Sequence, residues 1–230
     1  MNIHIFGNSI CRRQDGGISP NFVDIIFKKY SLPDESLHRF PNMSEERILY
    51  LLKKSKNIDL AIIFHGLENS IFVPSLNHDF NLNITPAEWY LSEYRQRVID
   101  YYPNRKTDSP NEIIKEIPRL EIKTALDEYE KFFHTRDLVR NRFIGALLQI
   151  DQYLTYKKIP VIHCVYKKTI PSWFKFSSGI VDYDLVKLHN TGNVNVHLMK
   201  NRLTPENNQL IADKLIEYIN QLTNQHRQSI

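Results

Sequence analysis

Met1-Asn-Ile-His-Ile-Phe-Gly-Asn-Ser-Ile-Cys11 opens the chain, and the reading of this stretch decides the rest. Ile3 and Ile5, with their neighbours, have the alternating character of a short strand. Gly7-Asn8-Ser9 breaks that strand, and a helical pattern begins at about Phe22. Open α/β sheets place their chemistry at a small-residue turn of this kind, at the carboxyl end of a first strand. Gly7 lets the turn take a backbone conformation that other residues resist. Ser9 projects a hydroxyl from it, which suits a nucleophile. The same tripeptide also serves as an ordinary polar turn.

Moving outward, strand and helix alternate. Residues 20–30 form a helix with Phe22, Ile25 and Ile26 on one face and a proline near its start. Residues 36–40 form a short second strand. A helix capped by Asn42 or Ser44 runs to about Lys54, with Glu45 and Glu46 in the first turn, where the helix dipole favours acids. Asp59 to Phe64 is a continuous apolar run, the pattern of a central parallel strand covered on both faces.

The alternation stops between about Ser70 and His134. That stretch is rich in Tyr, Asn and Pro, with helical patterns near 86–101 and 119–133. It has too few aliphatic residues for a core of its own, so it reads as a lid-like insertion at about 70–134 within a single domain spanning 1–230. Trp89-Tyr90 and Tyr101-Tyr102 either line a cleft or pack the insertion onto the sheet.

A helix from Thr135 to about Lys157 follows, with Leu138, Phe143, Leu147, Ile150 and Leu154 as its buried stripe. Pro160-Val-Ile-His-Cys-Val165 is the next buried strand. Residues 166–192 read as loop with a short helix, and Val194 to Leu198 as the last strand. Thr204-Pro205-Glu206 opens a final helix to about Gln221, with Leu210, Ile211, Leu215 and Ile219 turned inward and a frayed polar tail from Thr223. The fold class is α/β, a three-layer α/β/α sandwich around a parallel sheet of about five strands.

The chain has 230 residues, 42% of them hydrophobic, which suffices for one such domain with a full core. No apolar run reaches the roughly eighteen residues of a membrane span, and no basic-then-apolar leader is present, so the expected compartment is the cytoplasm. The net charge is only +4 and its cations are scattered, which implies no nucleic acid partner and mildly favours an anionic ligand. Two cysteines, Cys11 and Cys164, make neither a disulfide framework nor a zinc site, and no metal or other cofactor is implied. Cys11 would be reactive only if exposed beside a cation.

Three blocks carry a family resemblance. Phe6-Gly7-Asn8-Ser9-Ile10 resembles the nucleophile block of the SGNH/GDSL hydrolases, Asp59 to Asn69 is similar to the block in which a strand runs into Gly-x-Asn-Asp, and Leu203 to Ala212 is similar to the closing helix. The resemblance implies Ser9 as nucleophile and an oxyanion hole made by the N–H groups of Ser9 and Ser44 with the side chain of Asn69. Donors of that kind act on charge that develops in the transition state. The simplest alignment puts Glu68 at the asparagine position, where an ionised carboxylate cannot donate, with Asn69 one residue later.

The closing block departs further. Arg202 stands where the family has its catalytic histidine and Met199 where it has its aspartate. Arginine stays protonated and cannot serve as a base. His197, in the segment leading to the last helix, is the favoured substitute; His65, at the end of the third strand, is the other. Each can equally be a satisfied structural histidine. The remaining histidines, His189 among them, carry no positional argument.

Three functions therefore remain open. One is a serine-dependent hydrolase of a carboxylester or a carbohydrate O-acetyl ester, with a rearranged triad. The second delivers the acyl group to a sugar hydroxyl instead of water. The third is a binding protein on the same scaffold, with Arg202 holding an anionic ligand. The implied partner is a small-molecule or carbohydrate ester.

Overall fold

The structure is a computed structural model, and it describes residues 1–7, 11, 20–39, 43–66, 71–74, 81–84, 135–165, 169–185 and 204–228. In chain order the elements are β1 (Ile3–Gly7), α1 (Phe22–Tyr30), β2 (Leu37–Arg39), α2 (Glu45–Lys54), β3 (Leu60–Phe64), β4 (Ile71–Pro74), β5 (Asn81–Ile84), α3 (Arg136–Lys157), β6 (Val161–Cys164), β7 (Ile180–Asp182) and α4 (Pro205–Gln228).

Five strands form one sheet in the order β2-β1-β3-β6-β7, every neighbouring pair parallel. The period of two along each strand sends alternate residues to opposite faces. Ile3, Ile5, Leu60, Ile62, Phe64, Ile162 and Cys164 pack with α1 and α4 on one face. Phe6, Ala61, Ile63 and Val161 pack with α2 and α3 on the other. The result is the three-layer α/β sandwich expected from the alternating pattern. Each fully buried Ile or Leu contributes roughly 1.5–3 kcal/mol relative to exposure, so the two interfaces carry the fold.

Local chemistry explains where the helices begin. Asn21 and Asp24 form a capping box on α1. Ser44, the second of the two expected caps, accepts from Arg47 N–H at the start of α2, and Thr135 does the same for Leu138 N–H in α3. Asn208 of α4 is buried and accepts from Phe22 N–H at 3.1 Å, which docks the last helix on the first.

Several expectations are corrected. The fifth strand is Ile180–Asp182, inside the stretch read as loop; three residues are too few to show a period. Residues 194–198 lie outside the described residues. Leu138 and Leu210 are 43% and 55% exposed. The inward stripe of α3 runs through Val139, Phe143, Leu147, Ile150 and Leu154, and that of α4 through Asn208, Ile211, Leu215, Ile219 and Leu222, so each misassigned leucine sits about 100° off its stripe. The helix α4 continues to Gln228, past the expected frayed tail, because Leu222 still reaches the core and no glycine or proline stops it. Of the segment read as an insertion, β4 and β5 are described. They pair antiparallel, Ile71 opposite Ile84, in a separate ribbon that the sequence reading did not foresee. The helical patterns at 86–101 and 119–133 and the aromatic pairs lie outside the described residues.

Candidate functional site at the carboxyl edge of the sheet

The strand order places a switch point between β1 and β3. The chain leaves β1 for β2 on one side, returns to β3 on the other, and continues to β6 and β7. The loops after β1 and β3 therefore diverge, and sheets of this kind bind ligands in the crevice so opened.

Gly7 closes β1 at this edge. A Cβ there would lie 2.5 Å from Cys11 Sγ and 2.9 Å from Phe64 Cβ. Its φ is not positive; among the described glycines only Gly179 has that conformation. The expectation that Gly7 supplies backbone freedom is thus corrected: it is glycine because Cys11 and Phe64 fill the space. Cys11 is fully buried, and burial pushes its thiol well above the ordinary range, so it is not a reactive nucleophile. Ser9 lies outside the described residues. Chain connectivity alone keeps it within about 7 Å of the end of β1.

The loop after β3 is clamped to the start of α2. Glu45, 1% exposed, accepts from Gly66 N–H through Oε1 at 2.8 Å and pairs with His65 Nδ1 through Oε2 at 2.7 Å. A Cβ on Gly66 would collide with the Met43 carbonyl oxygen, so this corner admits only glycine. Ser44 is buried beside it with its Oγ used as the helix cap. The oxyanion role expected of Ser44 concerns its backbone N–H alone.

His65 is engaged on both ring nitrogens. Nδ1 meets Glu45, and Nε2 lies 2.9 Å from Nδ1 of His163 on β6. The carboxylate–imidazole pair has the form that orients a catalytic histidine, yet its outer nitrogen faces a second imidazole. His163 is fully buried, stacks on Phe176 at 4.0 Å between ring centroids, and is held well below the usual histidine range by burial and by the neighbouring His65. Its Nε2 has no hydrogen-bond partner among the described residues.

Phe176 is positioned by a second brace. Asp151 of α3, 4% exposed, accepts from Ser177 N–H at 2.9 Å and Ser178 N–H at 3.1 Å and also from both hydroxyls. At the far edge, Asp182 accepts from Tyr218 Oη at 2.6 Å and from the N–H groups of Asp184 and Leu185.

Of the residues singled out from sequence, the structure brings Ser44 and His65 into one corner. Ser9, Asn69, His197 and Arg202 lie outside the described residues. Glu45 and His163 were missed as site residues. Glu45 read as a helix-dipole acid, although it is the first residue of α2. His163 interrupts the apolar strand Val161 to Cys164, and a polar ring in a buried strand demands a partner; that signal was available. Among the described residues no group of three or more His, Cys, Asp or Glu is placed to hold a metal ion, and no helix is long and apolar enough to cross a membrane. No protein-family model, curated protein or solved structure matches the chain.

Proposed function

We propose that the protein is a serine-dependent ester hydrolase working at the β1–β3 switch point. One observation carries this reading: β1 ends at Gly7, two residues before Ser9 in the sequence, beside the strand that runs into His65 and Gly66, at the edge where open parallel sheets hold substrates. Fold alone does not decide function; the Gly7-Asn8-Ser9 turn at this place supplies the chemistry.

In this reading Ser9 Oγ attacks the ester carbonyl while a histidine takes its proton. The ester C–O bond then breaks, the alcohol leaves with that proton, and water releases the acyl group from Ser9 by the same steps. Backbone N–H groups of Ser9 and Ser44 with the Asn69 side chain hold the oxyanion. His65 has both nitrogens engaged, which favours His197 as the base and leaves His65 to order the corner. A carboxylester or a carbohydrate O-acetyl ester is the substrate class; a sugar hydroxyl in place of water would make the same site an acyltransferase.

The experiment is stoichiometric labelling by a serine-directed phosphonate, with the modified residue identified by mass spectrometry. One label on Ser9, lost in Ser9→Ala with thermal stability retained, supports the reading. A protein that takes no label under conditions that modify a known serine esterase removes both acyl-transfer functions. A binding role with Arg202 against an anionic ligand then takes their place.

A further inference from the structure

Glu45, His65 and His163 form a hydrogen-bonded series that the acyl chemistry above does not use. A carboxylate offers only lone pairs, so the proton between Glu45 and His65 sits on His65 Nδ1. With the ring uncharged, His65 Nε2 carries a lone pair and accepts from His163 Nδ1–H at 2.9 Å. His163 is then left with a lone pair on Nε2. That atom is buried and has no partner among the described residues. The carboxylate thus dictates the polarity of an atom two hydrogen bonds away.

An unmet acceptor in the interior forfeits its hydration. An apolar residue, such as the neighbouring Ile63 opposite His163 in the sheet, would avoid that loss. Glu45 is itself settled, with the Gly66 N–H on one oxygen, the α2 amino terminus behind it and His65 on the other oxygen. The series is complete except at its outer end, and the ring that carries that end stacks on Phe176, which in turn makes a T-shaped contact with Phe174.

We propose that His163 Nε2 is a hydrogen-bond acceptor for a ligand hydroxyl, held in that polarity by Glu45 through His65. A bare lone pair repels an anion. The described residues place no further ligands for a metal beside it. A neutral O–H donor is what the bare acceptor suits, as in an alcohol or a sugar. This site stands whether or not Ser9 is a nucleophile.

The test uses the full chain labelled with 15N at histidine. The two nitrogens of each ring are read from long-range proton–nitrogen spectra at neutral pH, and His163→Gln assigns its signals. The expected wild-type state is Nδ1 protonated and Nε2 bare. Methanol and methyl α-D-glucopyranoside should shift the Nε2 resonance saturably, and the per-O-methylated glucoside, which has no O–H, should not. In Glu45→Gln the amide oxygen still accepts from Gly66 while the amide NH2 donates to His65 Nδ1. That reverses the series, so His163 Nε2 gains the proton and the hydroxyl-dependent shift disappears. A wild-type Nε2 that carries a proton overturns the proposal. So does one that is already hydrogen-bonded and unmoved by either hydroxyl probe, which assigns the atom to a resident water.

Discussion

His65 Nδ1 stands 2.7 Å from Glu45 Oε2 with both side chains 1% exposed, so a buried pair ties the end of β3 to the first turn of α2. At that exposure bulk solvent offers neither side chain an alternative partner, and Glu45 Oε2 and His65 Nδ1 are satisfied by each other.

Removing the carboxylate therefore strands two donors at once. Glu45→Ala leaves His65 Nδ1 and Gly66 N–H unmet in the interior and, at about 1–3 kcal/mol for each buried donor, is expected to lower stability by about 2–5 kcal/mol. Glu45→Gln keeps the shape and one acceptor, and its loss should be about 1–2 kcal/mol. Urea denaturation of the three proteins checks both. A Glu45→Ala midpoint equal to wild type would mean that the corner does not depend on this carboxylate.

Gly66 is a steric position. In Gly66→Ala the new methyl meets the Met43 carbonyl oxygen, a backbone atom that cannot swing aside. The loop after β3 or the start of α2 must shift, at a cost of roughly 1–3 kcal/mol. Hydrogen exchange should report the change at Met43 to Arg47 first; exchange there at the wild-type rate would argue against the collision.

Asp151 holds the chain that carries Phe176. Asp151→Ala releases two N–H groups and two hydroxyls of Ser177 and Ser178 and is expected to cost on the order of 2–3 kcal/mol. Because Phe176 stacks on His163, the His163 ring resonances should move as well. Unmoved histidine signals would show that Phe176 keeps its place without the brace.

Acid should destabilise the fold through its histidines. Burial, and after it the nearby His4, lowers His38 from 6.5 to about 4. Between those values the unfolded chain binds a proton that the folded chain refuses. The stability is complete above about pH 6.5 and is lost as pH falls toward 4. One pKa unit corresponds to about 1.4 kcal/mol, so His38 accounts for at most roughly 3–4 kcal/mol across that window. His4 and His163 are lowered too and act in the same direction. His38 Nε2 lies 3.0 Å from His4 Nδ1 and 3.2 Å from Ser55 Oγ, and its ring stacks on Phe6. Melting curves of wild type and His38→Asn from pH 7 to pH 4 should therefore diverge, with the variant losing less. Parallel curves would remove His38 as a source of the acid sensitivity.

The alternation of Ile3 and Ile5, the apolar run Leu60 to Phe64 and the cap at Ser44 are local signals, and the elements they imply are those observed. Burial on both faces of a strand is written into residue type, and a cap into the residue beside a helix. Leu138 and Leu210 were placed wrongly because a stripe one residue wide cannot be oriented until the partner face is known. The strand Ile180–Asp182 exists because β6 offers it an edge, and three residues carry no period of their own.

The candidate site divides the same way. The Gly7-Asn8-Ser9 stretch was singled out because a strand end followed by small residues is a local pattern; Gly7 ends β1, and Asn8 and Ser9 lie outside the described residues. The chain from Glu45 through His65 to His163 was not, since its members are 20 and 98 residues apart in sequence and meet only when β3 lies between β1 and β6. The sequence by itself determined that this is a parallel α/β sheet whose first strand ends at Gly7, because residue type encodes burial and local backbone preference. Only the tertiary structure decided that Gly7 is required by contact rather than conformation, that Cys11 is sealed, and that one carboxylate orients two histidines. Hydrogen bonds between distant segments depend on strand order, and residue spacing does not record it.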